Sequence, residues 1–221
     1  MVKVRAGDKK KQLIFETSKK LFYRNGYNNT TYDMICSAAD IPAGSIAYHF
    51  SSKAALADLV SRDYNIRLID YVKQKLGRPV DHWIMTALII RARWYLMFYD
   101  ENIRRFMREV LASKALGEDN FDSTVEALEV HRTDGGLKID DKQFRLTAAL
   151  VSGIDQSILI ALRSNIYEYD LNYVSEFNTL MFFRILNLGD EIAENAAKEA
   201  KKLFDEMGFD IAFFKDFAFS E

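Results

Sequence analysis

The stretch DIPAGSIAYHFSSKAAL, Asp40 to Leu56, decides the fold. A proline stands near its start, a glycine two residues on, and Tyr48, His49 and Phe50 crowd together. The pattern predicts a short helix from about Thr31 to Ala39, a turn at Asp40-Ile41, and a third helix opening at Pro42. Helices of that length are not stable alone, because nucleation costs more than one or two turns return. They need the flanking helices, about Lys9–Asn25 and Ser52–Leu76, with Ile35, Ala38, Ala39, Ile41, Ile46 and Phe50 as a shared core. Asp40 suits a left-handed corner. Pro42 suits a first helical position, where its missing N–H would go unpaired anyway. Thr30 or Thr31 can cap the second helix, with Asp33 standing in for a capping-box glutamate.

What the third helix leaves outside is small or hydrogen-bonding: Ala43, Gly44, Ser45, Ala47, Tyr48 and His49. A helix entering a DNA major groove needs such a face. Small residues let the backbone approach the bases, an alanine methyl can touch a thymine methyl, and hydroxyls reach base edges. Tyr48, His49 and Lys53 can bind phosphates, as can the N–H groups and hydroxyls of Ser51 and Ser52. Spacing alone fits a tight corner between packed helices equally well.

The charge distribution bears on that choice. Met1–Arg62 carries ten Lys/Arg against five Asp/Glu, so 10 − 5 = +5; the rest carries twenty against twenty-seven, so 20 − 27 = −7. A basic head on an acidic body suits a polyanionic partner. In the remaining chain, long 3.6-residue stripes end at glycines and strand-like alternation is nearly absent, which predicts an all-α protein. Further helices are expected at about 79–99, 102–116, 120–132, 141–163, 171–188 and 190–207, with the aromatic end GFDIAFFKDFAFS packing back. No run reads as a membrane span and no signal sequence is expected. The single Cys36 excludes an internal disulfide framework and fits a reducing cytoplasm.

The head resembles the DNA-binding head of TetR-type (tetracycline-repressor-type) transcriptional regulators. The residues that carry the resemblance are Phe22, Gly26-Tyr27, Thr30-Thr31, Ile35, Ala38-Ala39, Ile41, Gly44-Ser45-Ile46, Tyr48-His49-Phe50, Ser52-Lys53 and Leu56, over about Lys9–Val60. The sequence departs from the family pattern at Cys36, Asp40, Pro42 and Ala47, the last where a tyrosine is usual. The resemblance implies an N-terminal three-helix helix-turn-helix head, residues 1–52, on a larger helical body, residues 53–221. It implies a regulator of transcription, most simply a repressor released from double-stranded DNA by a small-molecule effector. Thr30, Thr31, Ala43, Gly44, Ser45, Ala47, Tyr48, His49 and Lys53 are then the DNA-binding candidates. An architectural or cell-division factor on the same scaffold, without an effector, is the alternative; a fully packed body would favour it and an open aromatic-lined cavity would not.

One recognition helix reads little sequence, so a homodimer on a palindromic operator is expected, its recognition helices about 34–36 Å or a multiple apart. The interface candidates are Leu146, Leu150, Val151, Ile154, Ile158 and Leu162 on the eighth helix and Phe177, Met181 and Ile185 on the ninth. Gly153 between them costs about 1 kcal/mol against alanine, which close helix approach would explain. The resemblance implies a four-helix bundle there. Arg91, with Trp94, Tyr95, Phe98 and Phe106, marks the candidate effector region. A buried guanidinium needs a partner: Asp155, or an anionic ligand. His131 reads as a surface residue near a helix end. Three histidines and one cysteine supply a metal site poorly, and there is no Glu-x-x-His pair, phosphate loop or nucleophile elbow, so neither cofactor nor catalysis is expected.

Overall fold

The computed structural model describes residues 6–114, 121–163 and 168–219. These form eleven helices and no strand: α1 Ala6–Asn25, α2 Tyr32–Ala38, α3 Ser45–His49, α4 Lys53–Leu76, α5 His82–Tyr99, α6 Glu101–Lys114, α7 Phe121–Thr133, α8 Asp141–Arg163, α9 Leu171–Ile185, α10 Asp190–Met207 and α11 Ile211–Phe219. The all-α expectation holds, with α8 and α10 at the expected limits. α3 opens at Ser45 rather than Pro42. Residues 42–44 instead make a turn in which the Ser45 N–H donates to the Pro42 carbonyl at 3.2 Å, and Gly44 takes φ 88° at the helix entry. Asp40 does occupy the left-handed corner, at φ 50°.

α1 to α3 pack as a small head. Ile14, Phe22, Ile35, Ile46 and Phe50 are buried together there with Leu56 of α4. Thr31 caps α2 by accepting from the Met34 N–H, and Ser52 caps α4 by accepting from the Ala55 N–H. The capping box does not form, because the residue three after Thr31 is Met34. α5 runs through the centre of the body: Ala87, Leu88, Ile90, Arg91, Ala92, Trp94, Leu96 and Met97 are all buried against its neighbours. The C-terminal aromatics pack back as expected. Phe214 lies edge-on to Tyr64 and Tyr71 of α4, where exposed it would be an aggregation hazard.

Head and body are tied at several points. Phe22 stacks on Phe106 at 5.7 Å, the Glu109 carboxylate accepts from the Asn28 N–H at 2.8 Å, and Arg105 donates to the Tyr23 and Arg24 carbonyls. Lys19, almost wholly buried, donates to Asp63 of α4 at 2.9 Å with Glu16 at 3.3 Å. One further histidine differs from expectation. His131, near the end of α7, is half-buried rather than free on the surface: its Nδ1 lies 2.8 Å from His82 Nε2, and its ring stacks on Trp83 at 5.4 Å. Burial and the neighbouring His82 pull its pKa down to about 4.

α8 is, contrary to expectation, long and apolar enough by length and composition to cross a bilayer. One such helix is weak evidence for a membrane, and its apolarity divides between two sides. Phe144, Thr147, Ala148, Ile158 and Leu159 face inward and are buried, whereas Leu146, Leu150 and Ile160 are 60–69% exposed. The interface candidates Val151, Ile154 and Leu162 turn inward and pack on the core, and Ile158 is buried within it. The outward stripe is instead Leu146, Leu150, Gly153, Ser157 and Ile160, spaced at four, three, four and three residues. It is continued on α9 by Tyr173 and Phe177, also exposed, while Met181 and Ile185 are half-buried. A Cβ at Gly153 would meet nothing within 4 Å, so nothing among the described residues accounts for that glycine.

Candidate nucleic-acid interface and body cavity

α3 has one apolar anchor and one open face. Ile46 is 2% exposed and Phe50, just past the helix, is buried; Tyr48 is 85% exposed. Ala43, Gly44 and Ala47 are exposed beside it, with Ser45 and His49 half-exposed. The His49 ring meets Tyr48 edge-on at 4.9 Å, which holds the tyrosine upright off the helix. Tyr48 itself contributes little to the packing of the head. Ala47, in place of the usual tyrosine, leaves a shallow floor next to it.

The first turns of α1 run alongside this face. Gly7 and Lys10 share a cleft with Ser45, Tyr48 and His49. Lys11 lies 5.8 Å over the Phe50 ring, and Lys9, Lys10 and Lys11 are all exposed. Lys10 was not singled out from the sequence. The signal was present in the basic run KKK and the head's net +5, but only the fold brings that run to α3.

Two of the nine DNA-binding candidates are placed differently from expectation. Thr30 is wholly buried; its hydroxyl donates to the Gly26 carbonyl at 2.7 Å and holds the α1–α2 loop closed. Lys53 turns inward: its ammonium donates to the Tyr27 and Thr30 carbonyls, each at 3.0 Å, and sits 4.3 Å over the Tyr27 ring. Burial pulls its pKa below the ordinary lysine value. Thr31, exposed, spends its hydroxyl oxygen as the α2 cap. The other six, Ala43, Gly44, Ser45, Ala47, Tyr48 and His49, stand on one surface.

In the body, the expected Arg91–Asp155 pair does not form. Asp155 of α8 belongs to Arg93 at 3.0 Å and to the Asn178 amide at 2.8 Å. Residues two apart on a helix point to nearly opposite sides, so α5 sends Arg93 to α8 and Arg91 to α9 and α10. There Arg91 borders a cavity of about 330 Å³, lined also by Ala87, Asn172, Ser175, Thr179 and residues of α10. The other effector candidates lie outside it. Trp94 is wholly buried core, Phe106 is buried against the head, and Tyr95 packs on Tyr99, Phe204 and Phe209. Phe98, half-buried, packs against the main core. Among the described residues no cluster of three or more His, Cys, Asp or Glu could hold a metal ion.

Two short helices at a left-handed corner, the second presenting a small, polar and tyrosine-tipped face beside a lysine run, define a helix-turn-helix DNA-binding protein. Residues 14–60, the head, match the family described as "Bacterial regulatory proteins, tetR family". No curated protein matches it. Among solved structures it is similar to RolR, in complex with its ligand resorcinol, at 17% identity over 86% of this chain and 94% of that one, TM-score 0.56. It is also similar to the multidrug binding protein EbrR, complexed with ethidium, at 19% identity over 80% and 97%, TM-score 0.51. At these identities the likeness is one of fold.

Proposed function

We propose that this chain is a sequence-specific DNA-binding transcriptional regulator, a repressor released from its operator by a small-molecule effector. The head, to Ser52, reads the DNA; the helices from Lys53 onward hold the effector and pair two copies. The observation that carries the reading is the open face of α3: Tyr48, 85% exposed, flanked by Gly44, Ser45 and Ala47. Lys10 and Lys11 supply phosphate contacts at its edge. Base contacts specify and phosphate contacts position. The outward stripe of α8, with Tyr173 and Phe177 of α9, is the surface through which two copies associate. An exposed apolar surface of this extent on a soluble regulator calls for a partner, and a second recognition helix is what operator reading needs.

The body keeps a cavity beside Arg91, lined by polar residues and alanines rather than by the expected aromatics, and that opening supports a ligand-responsive regulator over an architectural factor. RolR and EbrR each bind a small molecule on the same fold. A regulator of DNA with a single buried thiol acts in the cytoplasm. Selection of bound duplexes from random sequence, followed by anisotropy titration, tests the reading. Recovery of a palindrome bound by a dimer is the expected result; no enrichment of any sequence would reject it. Tyr48→Ala and Ser45→Ala should lose more affinity on the selected duplex than on random DNA.

A further inference from the structure

Arg91 is 7% exposed, and no carboxylate is hydrogen-bonded to it. One terminal nitrogen donates to the Ser175 hydroxyl at 3.1 Å and the other to the Asn172 side-chain carbonyl at 2.7 Å. Asp205, itself 62% exposed, comes only to 3.9 Å. The Nε–H is buried with no acceptor among the described residues. The Phe204 ring lies 5.4 Å from the guanidinium carbon, but a buried guanidinium with no hydrogen-bonded carboxylate and an unused donor is costly unless something completes it. Burial accordingly depresses its pKa, against the pull of Asp205. The side chain lies at the edge of the cavity between α5, α9 and α10. That cavity exists because alanines stand where the helices meet: Ala87 on α5, Ala197 and Ala200 on α10.

We propose that this cavity is a binding site for a small organic carboxylate, its anionic end on Arg91. The inference rests on the reading of the body as ligand-binding and names the chemistry of that ligand. Arg91 lines the cavity and offers its positive charge there, while the Ser175 and Thr179 hydroxyls beside it donate to carbonyls of their own helix. The three alanine methyls face the organic part, and Lys198 and Lys201 add positive potential at the opening. Glu176 and Glu194 also line the opening, which disfavours a doubly charged phosphate. A volume near 330 Å³ is at the small end of the range for ligand sites.

Calorimetric titration of the full chain at constant ionic strength tests this, with sodium benzoate and sodium butyrate as probes, benzamide as the uncharged counterpart of benzoate, and inorganic phosphate as a second anion. At least one carboxylate should bind saturably, about tenfold or more tighter than benzamide or phosphate, since a charged hydrogen-bonded pair is at stake. Arg91→Gln and Ala197→Leu should each weaken it by about tenfold or more. Ala197→Leu closes the cavity while leaving the guanidinium in place, so it decides the matter if Arg91→Gln does not fold. Silence towards both carboxylates overturns the proposal, as does equal binding of benzamide or phosphate, or undiminished binding to Ala197→Leu. DNA affinity is measured separately: carboxylate binding that leaves it unchanged upholds the site and removes its effector role.

Discussion

Lys10 and Lys53 are both lysines of the head, and the structure assigns them opposite kinds of work. Lys10 is exposed beside Ser45 and Tyr48, so its charge is free to neutralise a phosphate. Lys53 is committed to two backbone carbonyls at 3.0 Å. Binding affinity falls with salt at about 0.9 logarithmic units per phosphate neutralised. Lys10→Ala removes one such contact per protomer and two per dimer, so it should flatten the slope by about 1.8. Over a tenfold range of salt, wild-type affinity should therefore fall roughly sixtyfold further than that of the variant. Lys53→Ala should leave the slope unchanged and instead cost about 1–2 kcal/mol of folding stability, the worth of two charged hydrogen bonds discounted for partial exposure. Anisotropy titrations on a selected duplex between about 50 and 500 mM KCl at low temperature read the first quantity. Urea unfolding reads the second. A Lys53→Ala slope as flat as that of Lys10→Ala would refute the assignment, and so would an unaltered slope for Lys10→Ala.

Three other outcomes are expected. Leu150→Glu, at a position 61% exposed on the α8 stripe, should yield a folded monomer by sedimentation with operator affinity reduced at least about tenfold, since one head then binds alone; a persistent dimer would place the interface elsewhere. Arg93→Met strands Asp155 with only the Asn178 amide and should cost about 2–4 kcal/mol in urea unfolding, with Arg93→Met/Asp155→Leu recovering part of it. The His131 pKa is lowered on folding, from 6.5 to about 4, so the unfolded chain takes up the proton first. That contribution is complete above pH 6.5 and is lost as pH falls towards 4, at a cost of about 2–3 kcal/mol, and His131→Gln should flatten stability against pH over that window.

The sequence made the head legible because its short helices are held by anchors few other residues could replace. Ile46 and Phe50 had to be buried, Asp40 had to turn the corner, and what remained outside is the surface proposed to meet DNA. It could not show which polar head residues turn in, because Thr30 and Lys53 satisfy backbone carbonyls that only the closed α1–α2 loop brings to them. The body was legible as helices and illegible as faces. α8 is apolar on two sides, so periodicity alone could not separate Leu146, Leu150 and Ile160 from Ile154, Ile158 and Leu162. Arg91 and Arg93 differ by two positions on α5, and nothing in their spacing says which one meets α8. The His82–His131 contact joins residues 49 apart and carries no local signature.

The junction of α5 and α6 bears on how a ligand in the body would reach the head. Asp100 is 6% exposed there and accepts from the Ile103 N–H at 3.0 Å, which starts α6. It also accepts from the Tyr23 hydroxyl of α1 at 2.9 Å, and Lys215 of α11 comes to 3.5 Å. Desolvation and this carboxylate together raise the Tyr23 pKa, so the phenol stays a donor throughout the physiological range. Arg91 lies eight residues before Tyr99, the last residue of α5, a separation of about 12 Å at 1.5 Å per residue, and Asp100 follows as the extended residue that ends the helix. A helix transmits displacement along its axis with little loss, whereas loops absorb it. A shift of α5 would act on Asp100, which contacts α1 through Tyr23 and caps α6 through the Ile103 N–H. The Phe22–Phe106 stack and the Arg105 contacts then hold α1 and α6 to move together. Tyr23→Phe would remove the α1 contact to Asp100 and leave the Phe22–Phe106 stack as a separate tie between head and body.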